Sequence, residues 1–200
     1  PTPSGFLHIG NALNMVLTWV LTRHAGGILW LRIDDLDQKR VKDPYLEDVF
    51  RTLDWLGLDW DQGPTSVAEH QREYSQVHRQ AAYLNFIQKL TDSGHTFVCQ
   101  CSRKDIFQKS SSGLYPGTCY ELNTPYQIHQ TSLRIRTQEI HSVHWEDHWQ
   151  GQKEVNLHQT MRDFVVRRKD WIPAYQIASL WDDLNRGINL LVRVYDLIQS

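Results

Sequence analysis

The chain has 200 residues, of which 40% are hydrophobic and 22% charged, and its formal net charge is −2. This balance supports one sizeable core, or one domain with an insert, and excludes a disordered chain or a generally basic nucleic-acid binder. It leaves room for a local basic patch. No apolar run is long enough to cross a membrane. The three cysteines make a poor disulfide framework, so a reducing compartment with thiolate ligands is expected. The chain begins abruptly inside a loop, with no signal peptide before its first motif, so further residues are expected upstream.

Taken in chain order, Pro1-Thr2-Pro3-Ser4-Gly5 is a turn-forming loop that runs into a helix over residues 9–24. His8, Gly10 and Asn11 stand at the junction. A helix N-terminus carries unpaired N–H groups and partial positive charge, which attract phosphate, and His8 and Asn11 add side-chain donors. Gly10 leaves the backbone open to a flat ligand. The plainer alternative is a helix cap with an exposed histidine. Leu13, Val16, Leu17, Val20 and Leu21 predict the buried face of this helix.

The apolar run 28–33, ending in Asp34-Asp35, predicts a buried parallel strand. Asp43 as N-cap and Pro44 in the first turn open a second helix with Leu46, Val49, Phe50 and Leu53 inward. A third helix is predicted over 70–93, with Tyr74, Val77, Ala81, Leu84 and Ile87 inward. Residues 96–162 read as an insert of short strands and loops that carries the cysteines. Strand 164–166, helix 174–184 and strand 188–194 restore the alternation. The expected fold is a doubly wound α/β domain with a parallel sheet, split as 1–95, 96–162 and 163–200.

In such folds ligands bind at the carboxyl ends of the strands. That rule gathers His8–Asn11, Asp34, Tyr175 and Arg193 at one crevice. A carboxylate and an arginine beside a phosphate site suit a zwitterion, Asp34 pairing with an ammonium and Arg193 with a carboxylate. Taken alone, Asp34 reads as a strand-end cap and Asp182-Asp183 as a helix-end pair. Cys99-Gln100-Cys101 and Cys119 offer three corners of a tetrahedral metal site. Chemistry leaves the fourth corner open between His95 and Tyr115.

Leu31-Arg32-Ile33-Asp34-Asp35-Leu36-Asp37, Leu56-Gly57-Leu58-Asp59-Trp60-Asp61, the run 163–170, Pro173-Ala174-Tyr175-Gln176 and Gly187-Ile188 follow the opening motif across nearly the whole chain. In that order they resemble the catalytic domain of class I aminoacyl-tRNA synthetases of the glutamate group. The resemblance implies a Rossmann-like fold, ATP with Mg²⁺ and L-glutamate as substrates, a glutamyl-adenylate intermediate, and tRNA as acceptor. His8, Gly10 and Asn11 match the family's ATP-binding element, with Asn11 in place of its last histidine. Thr2, Asp34, Tyr175, Ser179 and Arg193 fall on its glutamate-contacting positions, with Asp34 in place of a glutamate. Trp171 stands where glycine is usual.

The set Cys99, Cys101, Tyr115 and Cys119 resembles the structural zinc site of the stand-alone glutamyl-Q tRNA(Asp) synthetases. It implies transfer to queuosine in tRNA(Asp), by a cytoplasmic monomer. An ATP-binding loop known in the family would follow Ser200, so a fragment or decayed copy of weak activity is expected. The competing readings are ordinary glutamate–tRNA ligase, another nucleotidyltransferase, and a non-catalytic zinc-stabilised RNA-binding module using Arg162, Arg167, Arg168 and Lys169.

Overall fold

The computed structural model describes residues 1–140 and 142–192. It forms two compact units. Unit 1 holds Pro1–Tyr83 and residues 178–192, and unit 2 holds Leu84–Ile177. The boundaries fall inside two helices, α4 (Gln80–Asp92) and α7 (Tyr175–Asn185).

In unit 1, α1 (Ile9–His24) starts at a capping box made by His8 and Asn11. The predicted inward face of α1 is corrected: Leu13, Leu17 and Val20 are exposed, and Met15, Val16 and Trp19 pack on the core. Trp19 Nε1 donates to Asp59 over 2.7 Å and Arg23 pairs with Asp59 and Asp61, which sets the helix's rotation. Helix α2 (Asp43–Trp55) buries Leu46, Val49 and Leu53 against Leu31, Ile33 and Leu58. Its N-cap is Lys42 rather than Asp43, whose carboxylate instead accepts the Gln71 amide at 3.1 Å.

The expected parallel strand is an extended segment touched at single points. Trp30 bridges Gln62 in parallel, and the Asp34 N–H donates to the Pro1 carbonyl over 2.8 Å. No parallel ladder forms among the described residues. The local reasons are steric and chemical. Pro3 has no N–H to donate. On the other side Gly63, at φ +114°, turns the chain away while approaching so closely that a Cβ there would lie 2.4 Å from the Leu31 carbonyl oxygen.

The predicted helix 70–93 is broken. A short helix α3 (Val67–Glu69) runs into a π-helical turn (His70–Tyr74), and Ser75 is extended at ψ 137°. A 3-10 turn (Gln76–Arg79) and α4 then follow. The break shifts the helical phase, so Tyr83 and Ile87 are buried while Val77 and Ala81 are exposed.

In unit 2, β1 (Thr96–Cys99), β2 (Ser132–Ile135) and β5 (Val165–Arg167) form an antiparallel sheet in the order β1-β2-β5. The strand expected at 164–166 therefore pairs antiparallel with a strand of the predicted insert, because β2 offers it a free edge. Strands β3 (Val143–Asp147) and β4 (Gly151–Val155) make a separate hairpin. Helix α5 (Arg103–Lys109) is capped by Ser102 and Asp105, and α6 (Leu157–Thr160) by Asn156. The core comprises Phe97, Cys99, Ile106, Tyr115 and Cys119. Trp171 has φ +68°, a conformation that suits glycine. It is held by stacking: its ring lies 4.0 Å from the Arg167 guanidinium and 5.0 Å from Tyr126. Of the predicted strand 188–194, residues 188–192 are not in a strand, and the rest lies outside the described residues.

Candidate functional site

The α1 cap orients two side chains. His8 Nδ1 accepts the Gly10 N–H at 3.1 Å, so a neutral ring carries its proton on Nε2. The His8 N–H donates to Asn11 Oδ1 at 3.1 Å, which leaves the Asn11 NH₂ as a donor. Gly10 leaves room for this arrangement, since a Cβ there would sit 2.9 Å from His8 Cε1 and the ring would have to shift. The cap thus satisfies the helix end and keeps two donors outside it. Exposed Thr2 lies on the loop whose Pro1 carbonyl binds the Asp34 N–H. The loop is also anchored by the Leu7 N–H on Asp48, at 2.8 Å.

Arg32 joins two of the predicted substrate contacts. Its Nε donates to Asp34 Oδ1 over 2.7 Å, its Nη2 to Ser179 Oγ over 2.7 Å, and its Nη1 pairs with Asp183. Burial opposes the Arg32 charge, but Asp34, Asp183 and Asp182 outweigh it and hold the group above its ordinary value. Gln76 Nε2 also donates to Asp34 Oδ1, at 3.3 Å. Both of these bonds to the Asp34 carboxylate fall on Oδ1.

Behind this cluster sits a buried carboxylate network. Asp35 accepts from Ser75 Oγ at 2.6 Å, the Gln76 N–H at 2.7 Å and His70 Nε2 at 3.0 Å. Burial pushes the Asp35 carboxyl up, yet the bonds from His70, Ser75 and Gln76 hold it below the ordinary range. Asp182 accepts from Arg79 Nε at 2.8 Å, Tyr83 at 2.9 Å and Gln76 at 3.1 Å. Its carboxyl is likewise held low, against burial, by Arg79 and Gln76. Asp182 and Asp183 lie in the last turn of α7, as a helix-end pair would, and each is also ion-paired, buried Asp182 with Arg79 and half-buried Asp183 with Arg32. Sequence reasoning missed Arg32, Gln76, Arg79 and Tyr83. An arginine inside the apolar run 28–33 was the available signal, because a buried guanidinium needs partners.

In unit 2 the sulfurs of Cys99, Cys101 and Cys119 lie within 4.8 Å of one another, and all three cysteines are free. The Cys101 and Cys119 sulfurs are 3.6 Å apart. Two thiolates on a tetrahedral zinc, at about 2.3 Å each, stand about 3.8 Å apart, so the spacing fits that ion. Burial and the neighbouring Cys99 and Cys119 push the Cys101 thiol up to about 12. Burial also acts on Cys119, but the Gln100 N–H and the Tyr115 hydroxyl more than offset it and hold that thiol low. Crowded sulfurs that resist joint ionisation fit a bound dication. The Tyr115 hydroxyl accepts the Cys119 N–H at 2.7 Å and lies 3.7 Å from the Cys99 sulfur. Burial pushes the phenol up. His95 is exposed and is not part of the thiol group.

His8, Gly10, Asn11, Thr2, Asp34 and Ser179 share unit 1. Tyr175 opens α7 within unit 2, and Arg193 lies outside the described residues.

This mixed α/β architecture is shared with two solved bacterial proteins. The glutamate–tRNA synthetase of Elizabethkingia anophelis gives a TM-score of 0.72 at 21% identity, covering 94% of this chain and 42% of that one. The glutamate tRNA ligase of Elizabethkingia meningosepticum, in complex with its amino acid, gives 0.71 at 21%, covering 94% and 41%. Residues 1–200 match the family of class I tRNA synthetases (E and Q), catalytic domain, and the chain belongs to it. It is 34% identical to a glutamate–tRNA ligase of Desulfosudis oleivorans, over 100% of this chain and 42% of the relative. It is also 34% identical to a glutamyl-Q tRNA(Asp) synthetase of Ectopseudomonas mendocina, over 100% of this chain and 63% of the relative. The chain thus spans less than two thirds of the length of either relative. Among the described residues no helix is long and apolar enough to cross a membrane.

Proposed function

We propose that the chain activates L-glutamate with ATP and passes the glutamyl group to tRNA, with queuosine of tRNA(Asp) as the acceptor. The observation that carries this reading is the bond from the Asp34 N–H to the Pro1 carbonyl. It ties the carboxylate-bearing segment to the loop that leads into the His8 cap. His8 Nε2 and the Asn11 amide then serve as donors to the α-phosphate, beside the first N–H groups of α1, and Gly10 keeps the His8 ring in place. Asp34 Oδ2 accepts the substrate ammonium while Arg32 holds Oδ1. Ser179 Oγ accepts from Arg32, so its own proton is free to donate. The family resemblance adds Thr2, Tyr175 and Arg193 to the proposed amino-acid contacts, with Arg193 assigned to the side-chain carboxylate.

The substrate α-carboxylate oxygen attacks the α-phosphorus and pyrophosphate leaves. A hydroxyl of the acceptor then attacks the acyl carbon and AMP leaves. No covalent enzyme intermediate is needed, so the protein's contribution is positioning and charge stabilisation. Mg²⁺ bound with the ATP supplies neutralisation of the phosphates. Cys99, Cys101, Cys119 and Tyr115 would hold a zinc ion, which would supply a structural cross-link within the segment 96–162. Free thiols suit the reducing cytoplasm. The second reading is ordinary glutamate–tRNA ligase, since the chain is 34% identical to a relative of each name.

The test is ATP–pyrophosphate exchange, followed by acceptance of glutamate by tRNA(Asp) with and without queuosine. Exchange that needs glutamate and falls about a hundredfold in His8→Ala is expected. Exchange supported only by another amino acid overturns the reading. Equal charging of queuosine-free tRNA transfers the assignment to the ordinary ligase.

A further inference from the structure

Unit 2 has a polar cleft that the roles above leave unused. Its volume is about 270 Å³, and Lys109, Ser110, Ser112, Gln159 and Arg162 line it beside Tyr115. We propose that this cleft binds a backbone phosphate of a polynucleotide. The proposal rests on the tRNA reading only for the source of the phosphate.

The first argument is charge. Arg162 is oriented without being neutralised. The Thr137 hydroxyl donates to Asp163 Oδ1 over 2.8 Å, so it accepts from His158 Nδ1 at 2.9 Å. The neutral imidazole then presents the Nε2 lone pair to Arg162 Nη1, at 2.8 Å. The guanidinium is therefore held by a ring nitrogen and not by a carboxylate, and its other N–H groups remain as donors. Lys109 sits in the last turn of α5 and touches Asp105 only as a through-space charge. Among the described residues no ion pair involves either cation, and no carboxylate lines the cleft.

The second argument is the donor set and the size. Ser110 Oγ and Ser112 Oγ lie 2.9 Å apart, so one hydroxyl proton joins them and the other remains available to a ligand. The Gln159 amide adds further donors. Two cations, a hydroxyl and an amide lining one cleft suit the several oxygens of a phosphate, and these residue types make most polynucleotide backbone contacts. The cleft is smaller than the roughly 300 Å³ at which small-molecule pockets begin. It has room for a phosphate group.

The experiment measures binding of unfractionated tRNA by fluorescence anisotropy across a salt series. Wild type is compared with Lys109→Ala/Arg162→Ala and with the charge-keeping Lys109→Arg/Arg162→Lys. The thermal midpoint of each variant against wild type reports that the segment carrying the cleft is folded, and glutamate titration without tRNA reads the amino-acid site, to which neither residue belongs. The expected result is an affinity loss of about tenfold in the alanine pair and a salt slope shallower by about 1, with near-wild-type behaviour in the charge-keeping pair. An unchanged affinity and slope in the alanine pair overturns the proposal. So does competition by inorganic phosphate that the alanine pair abolishes without loss of tRNA affinity, which marks a free-anion site. Wild type that binds glutamate but no tRNA overturns the cleft alone. Wild type that binds neither also removes the glutamate reading.

Discussion

Replacing Asp35 with alanine tests the buried network most severely. The carboxylate takes three donors, Ser75 Oγ at 2.6 Å, the Gln76 N–H at 2.7 Å and His70 Nε2 at 3.0 Å. Asp35, His70, Ser75 and Gln76 are all buried. Each buried donor left without an acceptor costs about 1–3 kcal/mol. The Ser75 hydroxyl can rotate and a water can enter the space, so the three costs do not add in full. A loss of roughly 4 kcal/mol is expected, within the range for breaking a buried charged contact. Asp35→Asn should cost about half as much, because its carbonyl still accepts the Gln76 N–H and its amide can donate to a tautomerised His70. Urea unfolding followed by tryptophan fluorescence gives the free energies. Combining Asp35→Ala with His70→Phe should be less damaging than the two changes summed, since the second removes an orphaned donor. An Asp35→Ala protein within about 1 kcal/mol of wild type would refute the reasoning, because one lost buried bond already costs that much.

Other outcomes follow from the same geometry. Asp35 and Asp182 are held below the ordinary carboxylate value in the folded chain, so their contribution is complete above the unfolded value and lost as pH falls through the folded ones. Urea midpoints should therefore be flat from about pH 7 to 5 and fall below about pH 4, less steeply in Asp35→Ala, and a flat acid limb contradicts this. Gly10→Ala places a Cβ 2.9 Å from His8 Cε1. It should displace the ring, cost about 1 kcal/mol of helix capping and slow glutamate-dependent exchange, and exchange at the wild-type rate counts against the proposed role of His8. Metal analysis should find one zinc per chain, falling in Cys119→Ser together with the thermal midpoint. A metal-free wild type with the same midpoint rejects the zinc site.

Local patterns were readable where local forces decide the structure. The stripe Leu46, Val49 and Leu53 is core in the folded chain, and so are Leu31 and Ile33 of the apolar run 28–33, because each buries its face against the nearest neighbour, whereas Ile28 at the start of that run is exposed. The π-helical turn and the break at Ser75 were not readable: no proline or glycine marks them, and the cause is an acceptor at Asp35, 40 residues away in sequence. Helix α1 offered two apolar faces, and contacts of Trp19 and Arg23 with a distant loop selected between them. The antiparallel setting of β5 depends on β2, which periodicity could not pair with it. Among the candidate site residues, the convergence of Cys99, Cys101 and Cys119 followed from spacing. The position of Tyr115 beside them came only from resemblance, since a phenol is an unusual ligand. Arg32, which joins Asp34 to Ser179, was hidden as one charge inside an apolar run. The glycine usual at position 171 corresponds to a backbone at φ +68° that Trp171 holds by stacking.

The central claim is that a dicarboxylic amino acid is held through its ammonium by Asp34. Calorimetric titration with glutamate, glutamine and aspartate, in the presence of ATP, measures this directly in wild type and Asp34→Asn. The account predicts glutamate as the tightest of the three, with that preference retained and all affinity weakened at least tenfold in Asp34→Asn. Equal binding of glutamate by wild type and Asp34→Asn, or a preference for glutamine, contradicts it.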